Sequence, residues 1–121
     1  MAKRSEFVEH VVELLRAFGP VEATSMFGGW GLYHEGVFFA IVAQDLLYFK
    51  VDDETRARFE REGEGPFEYR AKDGKHVGLG YHRPPDEALE STAVMAEWAR
   101  LGYGAALRAA GAKAKKRRPR K

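Results

Sequence analysis

Met26-Phe27-Gly28-Gly29-Trp30-Gly31-Leu32-Tyr33-His34-Glu35-Gly36-Val37-Phe38-Phe39-Ala40-Ile41-Val42 is the most apolar and aromatic stretch of the chain, and it holds four of its thirteen glycines. It reads as a strand, a tight turn at Glu35-Gly36 and a second strand. Gly36 supplies the positive φ that a two-residue hairpin turn needs. Trp30, Leu32, Val37, Phe39 and Ile41 alternate with smaller or more polar neighbours. Phe38 and Val42 break the alternation, which predicts a strand covered on both faces for part of its length. Gly28, Gly29 and Gly31 are costly inside a strand, so a bulge or a close backbone approach is expected there.

Upstream, residues 5–18 read as a helix. Ser5 is the N-cap and Glu6 lies in the first turn, where the helix dipole favours an anion. Phe7, Val11, Leu14, Leu15 and Phe18 form one apolar stripe. Gly19-Pro20 is the stop. His10 is placed near the solvent boundary. Residues 23–34 are expected as one strand or a bent strand pair, and residues 37–43 as the next.

Downstream, Gln44-Asp45 turns the chain into Leu46-Leu47-Tyr48-Phe49-Lys50-Val51. These short connections predict an antiparallel meander. Asp52 or Asp53 caps a helix through Glu62 with Phe59 as its apolar anchor. Phe67–Ala71 and Val77–Tyr81 form a hairpin about Asp73-Gly74. Gly78 and Gly80 leave one face of its second strand bare, ready for close packing. Pro84-Pro85 ends the sheet. A last helix runs over 87–109 from Asp86 or Ser91, with Leu89, Val94, Met95, Trp98, Leu101, Ala105 and Leu107 as its apolar positions. Gly102 and Gly104 weaken it or admit another element, and Gly111 is its C-cap.

Met26–Tyr33 resembles the signature of the TfoX/Sxy N-terminal domain. Leu47–Asp52, Phe67-Glu68-Tyr69, Tyr81-His82-Arg83-Pro84-Pro85 and Trp98-Ala99 continue the resemblance in order, from about Phe7 to about Ala110. It implies a two-layer fold and a link to the regulation of natural competence. The second, C-terminal domain of those regulators is expected to be missing, and the resemblance brings no catalytic or ligand residues.

The element order α-β-β-β-α-β-β-α, with turns too short for crossovers, predicts an α+β fold. Its form would be two layers, an antiparallel sheet of about five strands with helices on one side. A chain of 121 residues with 45% hydrophobic content suits one domain. We divide it into a TfoX N-terminal-like domain over 1–111 and a disordered basic tail over 112–121. No apolar run is long enough for a membrane span. The basic start Met1–Glu6 is not followed by an apolar segment, so a cytoplasmic protein is expected. There is no cysteine, hence no disulfide or thiolate metal site.

The formal charge of +2 hides an asymmetry. Seven of the twenty basic residues are Lys113, Lys115, Lys116, Arg117, Arg118, Arg120 and Lys121, leaving thirteen against eighteen acidic residues in the body. These seven are the candidate nucleic-acid-binding residues, since such a run attracts polyanions without reading sequence. The plain alternative is a solvated tail.

Other chemistry is weaker. Gly28-Gly29-Trp30-Gly31 lacks the spacing and the following helix of a phosphate loop. His34, His76 and His82 lie in separate hairpins without the spacing of a zinc site. Ser5, Ser25 and Ser91 sit in no nucleophile elbow, and Glu35, Asp45, Asp73 and Glu87 are turn or cap carboxylates. No enzyme activity, cofactor or metal is expected. Trp30, Tyr33, Tyr48 and Tyr69, with Tyr81-His82-Arg83, could form a stacking platform for single-stranded nucleic acid. The acidic body argues against it, and core and sheet positions are the preferred reading.

The expected function is a non-enzymatic binding module, an accessory in transcription or competence regulation. It would meet a protein partner through the body and nucleic acid non-specifically through the tail. Alternatives are a protein-interaction or homodimer module with an incidental tail, and a small-ligand binder or enzyme using the Gly-rich hairpin.

Overall fold

The computed structural model describes residues 5–26, 28–70 and 76–117, with 68–70, 76–79 and 112–117 described by backbone alone. Ser5 Oγ accepts a hydrogen bond from the Val8 amide at 3.1 Å. It thereby caps α1 (Glu6–Leu14), satisfying one of the amides a first turn leaves unpaired. Val8, Val11 and Leu14 are the buried positions of α1. Val8 therefore takes the place expected for Phe7, which is only partly buried. The helix does not run to residue 18. It tightens into a 3-10 turn over Leu15–Ala17 before Gly19-Pro20.

The sheet has six antiparallel strands: β1 (Glu22–Met26), β2 (Gly29–His34), β3 (Val37–Ala43), β4 (Leu46–Lys50), β5 (Gly65–Arg70) and β6 (His76–Arg83). Their order is β1-β2-β3-β4-β6-β5. The extra strand comes from residues 23–34, which divide at Gly28, φ 76°, into β1 and β2. Both short turns have positive φ at their two central residues: Glu35 (49°) and Gly36 (79°), then Gln44 (53°) and Asp45 (59°). This is the type I′ geometry whose twist suits a hairpin. The second turn achieves it without glycine.

Helix α2 (Arg56–Glu62) separates β4 from β5. Thr55, not Asp52 or Asp53, stands at its N-cap position, and Phe59 is its buried anchor. Asp52 instead accepts from the Glu54 amide at 3.1 Å and from Arg108 at 2.5 and 3.0 Å. Asp86–Leu89 is a 3-10 turn. Ser91 Oγ then accepts from the Val94 amide at 3.2 Å, opening α3 (Thr92–Arg117).

Helix α3 passes the expected end at 109 and the expected cap at Gly111. Of the segment read as a disordered tail, residues 112–117 are helical and 118–121 lie outside the described residues. Met95, Ala96, Trp98, Ala99, Ala105 and Ala106 are its buried hydrophobic positions, whereas Leu107, expected among them, is 45% exposed. Small residues let this helix approach the sheet: a Cβ on Gly102 would stand 2.9 Å from Phe49 Cβ.

The helices pack on one side of the sheet. Cross-strand partners share a face, so the register identifies that side. Leu32, Ala40, Phe49 and His82 are successive partners across four strands and are all buried beneath the helices. Leu32 pairs with Ala40 but Tyr33 pairs with Phe38, which leaves Phe39 as the extra residue of a bulge. Its ring lies 5.4 Å from Phe18, 6.0 Å from Phe49 and 5.8 Å from Tyr103. The broken alternation of Phe38-Phe39 is thus a bulge that adds one more ring to the core.

Candidate functional site

The register that buries Leu32, Ala40 and Phe49 sends their neighbours the other way. Tyr33 pairs with Phe38, Ile41 with Tyr48, and Lys50 with Tyr81. These residues share the face away from the helices. Phe67 joins them, edge-on to Tyr48 with centroids 4.9 Å apart. Tyr33 and Phe38 are 5.2 Å apart, and Phe38 and Tyr81 6.0 Å. Lys50 Nζ lies 5.1 Å from the centre of the Tyr81 ring, within cation–π range. Tyr33, Phe38, Phe67 and Tyr81 are half-buried, while Tyr48 is covered by its neighbours.

Two glycines floor this face, Gly29 and Gly31. A Cβ on Gly29 would sit 2.2 Å from the Val42 carbonyl oxygen, and one on Gly31 would meet the Met26 Sδ at 2.9 Å. The expected close approach is therefore real: backbone at Gly29 and the Met26 side chain at Gly31. Burial, with a smaller effect of Tyr33, pushes the Tyr81 phenol up to about 12. It stays a neutral hydroxyl at physiological pH, able to donate or accept one hydrogen bond.

The aromatic platform read from sequence is thus sorted by the structure. Tyr33, Tyr48 and Tyr81 share the open face. Trp30 pairs with Val42 and packs, partly buried, against the core. His82 is 6% exposed on the helix side, its ring 5.7 Å from Phe59. The Tyr69 side chain lies outside the described residues. Phe38, Lys50 and Phe67 were not among the platform residues read from sequence. Their signal was the pairing register, which a bulge shifts.

The histidines do different work. His34 Nδ1 donates to the Pro20 carbonyl at 2.7 Å, with Phe18 and Tyr103 against its ring at 4.7 and 5.0 Å. It fastens the loop after α1 to the end of β2. His10 Nε2 lies 2.8 Å from the Leu89 carbonyl oxygen, joining α1 to the turn before α3. The His76 side chain lies outside the described residues. Among the described residues, no group of three potential ligands could hold a metal ion.

Of the basic candidates, Lys113, Lys115, Lys116 and Arg117 have their backbone in α3. Their side chains, and all of Arg118, Arg120 and Lys121, lie outside the described residues. Arg108, five residues before Lys113, clasps Asp52 and also approaches Glu54 at 3.0 Å. The described helices include none long and apolar enough to cross a membrane.

A six-stranded antiparallel sheet with helices on one face and an aromatic opposite face defines a small two-layer α+β domain. The chain belongs to the TfoX N-terminal domain family, whose profile matches residues 13–106. It is also similar to the DNA transformation protein TfoX1 of Aliivibrio fischeri, 36% identical over 59 residues. That match covers 49% of this chain and 28% of the relative, so the chain spans well under half of that protein.

Proposed function

We propose that this chain is a non-enzymatic binding module, an accessory protein in regulation of the DNA-transformation type. It contacts nucleic acid through Lys113, Lys115, Lys116, Arg117, Arg118, Arg120 and Lys121. The observation that carries this reading is the course of α3. The helix that holds Trp98 in the core continues through Arg117, so the basic segment departs from a fixed element. Family membership and the similarity to a DNA transformation protein support the regulatory half. The basic run supports the nucleic-acid half.

The test is a salt titration of labelled duplex binding by the intact protein and by a variant with the seven basic residues changed to Gln. With about 4–6 phosphate contacts, the intact protein should show a log–log slope of about −4 to −5. The Gln variant should lose most of its affinity. Equal affinity, or no binding by either protein at about 50 mM salt, refutes the reading.

A second reading is a protein-interaction or homodimer module, and β1 favours it. All five β1 residues pair regularly with β2 on one side, and the other side is an edge. Glu22, Thr24 and Ser25 are exposed there. β1 has none of the lysine, proline or bulge devices that blunt an edge, whereas the other edge, β5, carries Pro66 and a register shift. An added strand from a partner protein or a second copy would use β1's free backbone groups. Proline at Thr24 should abolish such pairing, seen as loss of dimer or partner in sedimentation.

A further inference from the structure

We propose that the open face of the sheet binds single-stranded nucleic acid, stacking unpaired bases on Tyr33, Phe38 and Tyr81, with Lys50 against the phosphate backbone. The proposal deepens the nucleic-acid reading above and rests on it for the class of ligand, while adding a second surface and a strandedness.

The first argument is chemical. Half-exposed aromatic rings on β2, β3 and β6, with centroids 5.2 and 6.0 Å apart, offer π-faces to bases of any identity. Ring stacking beside a cation is the recurring way a sheet holds a single strand. A duplex hides its base faces and gains nothing from such a surface. Tyr81 remains a neutral phenol here, so it adds no negative charge against a phosphate.

The second argument is charge. Taken whole, the body outside the basic segment is acidic and should repel phosphates, but the acids are not spread evenly. Glu6, Glu9 and Glu13 are on α1, Glu62 on α2, and Glu97 on α3, all in the helix layer. The helix layer also answers much of this charge itself: Arg58 pairs with both Glu62 and Glu97, and Arg16 with Glu13. Where α2 meets the β5–β6 end, Glu60 borders a hollow with Phe67 and Tyr81, and Arg56 borders the same hollow with the opposite charge. Among the described residues of the open face, Lys50 lies beside Tyr81, and Glu22 stands at the far edge on β1. Arg83 at the end of β6 alternates onto the same face and pairs with Asp86 at 3.6 Å. An anionic strand laid across β2, β3, β4 and β6 would meet rings and a lysine while the acidic layer stays behind the sheet.

The experiment measures anisotropy of a labelled oligothymidylate of about 15 nucleotides and of a duplex of the same length. It uses the full chain and the variants Lys50→Glu and Tyr33→Ala/Phe38→Leu. Circular dichroism checks that each variant is folded, and Lys50→Glu keeps the test decisive if the double variant is not. We expect each face variant to weaken oligothymidylate binding about tenfold or more. Duplex binding, carried by the basic segment, should be unchanged. Ultraviolet cross-links to the single strand should map to β2 and β3.

Face variants that leave single-strand affinity unchanged overturn the proposal, and so does an intact protein that binds no single strand. If they change sedimentation in place of affinity, the face is an interface between copies and the proposal fails. Loss of duplex binding alone, with face-dependent single-strand binding retained, refutes the basic-segment reading and leaves this one standing.

Discussion

Replacing Gly102 by Ala isolates how closely α3 lies on the sheet. Alanine in place of glycine inside a helix should stabilise by about 1 kcal/mol through backbone entropy alone. At Gly102 the new methyl would lie 2.9 Å from Phe49 Cβ and 3.0 Å from its Cδ1. Phe49 is fully buried and stacked on Phe39, so it has nowhere to move. Overpacking of that kind costs about 1–3 kcal/mol. At Gly104, two residues on, the nearest atom is the Arg108 Nη1 at 3.4 Å, the far end of a flexible side chain. The helix benefit is common to both sites and cancels in the comparison. Gly102→Ala should therefore be less stable than Gly104→Ala by about 1–3 kcal/mol. At about 4 °C per kcal/mol for a domain of this size, their melting temperatures should differ by roughly 4–12 °C. Thermal melts by circular dichroism and urea titrations read the gap. Adding Phe49→Ala to each should narrow it, because losing the ring removes the Cγ and Cδ1 contacts and leaves Cβ as the one neighbour that must give. Equal melting of Gly102→Ala and Gly104→Ala, or a gap that Phe49→Ala leaves intact, would show that the contact does not set the helix's distance.

The turn Gln44-Asp45 holds two non-glycine residues at positive φ. The double substitution Gln44→Asn/Asp45→Gly installs the pair such a turn favours and should stabilise by about 1 kcal/mol, read as a raised urea midpoint. The Arg108 guanidinium holds the Asp52 carboxyl below its usual range. A depressed carboxyl stabilises above the unfolded value of about 4 and loses that contribution as pH falls through the folded value. Arg108→Gln should thus be slightly less stable than the parent at pH 7. Its deficit should vanish in acid, and a deficit independent of pH between about 7 and 2 refutes the coupling. Trp98 is 2% exposed and Trp30 only partly buried, so Trp98→Ala should cost about 3–5 kcal/mol and Trp30→Ala clearly less. Denaturant titration of both decides it, and the reverse order sinks the assignment of faces.

Local chemistry made most of the fold legible. Ser5, Glu35-Gly36 and Ser91 each carry their capping or turning role on the residue itself, and each is found in it. Phe59 was legible as the anchor of α2 because no other residue of that helix competes with it. What failed depended on partners distant in sequence. Val8 is fully buried and Phe7 only partly, and which of two adjacent apolar residues faces the core depends on where the helix meets the rest of the fold. Thr55 stands where Asp52 was expected at the start of α2, while the Asp52 carboxylate serves both the Glu54 amide and Arg108, 56 residues away. Gly111 did not stop α3, since glycine ends a helix only where the chain needs a left-handed residue. The open face was the least legible part. Its composition was visible, but membership needed the register, and one bulge at Phe39 moves every residue beyond it by one place.

That bulge also separates two properties that an ordinary strand ties together. In strict alternation, a ring added to the core shifts every later side chain to the opposite face. Here Phe39 and Ala40 point the same way, so Phe38 and Ile41 still share the outer face on either side of them. Deleting Phe39 would restore plain alternation, remove one ring from the Phe18–Phe49–Tyr103 cluster and leave Tyr33, Phe38, Ile41 and Tyr48 facing outward. The interior and the outer surface of β3 can therefore change length and content independently. A mutational scan of this strand should show two uncoupled sets of tolerances, one set by volume and one by whatever the surface holds.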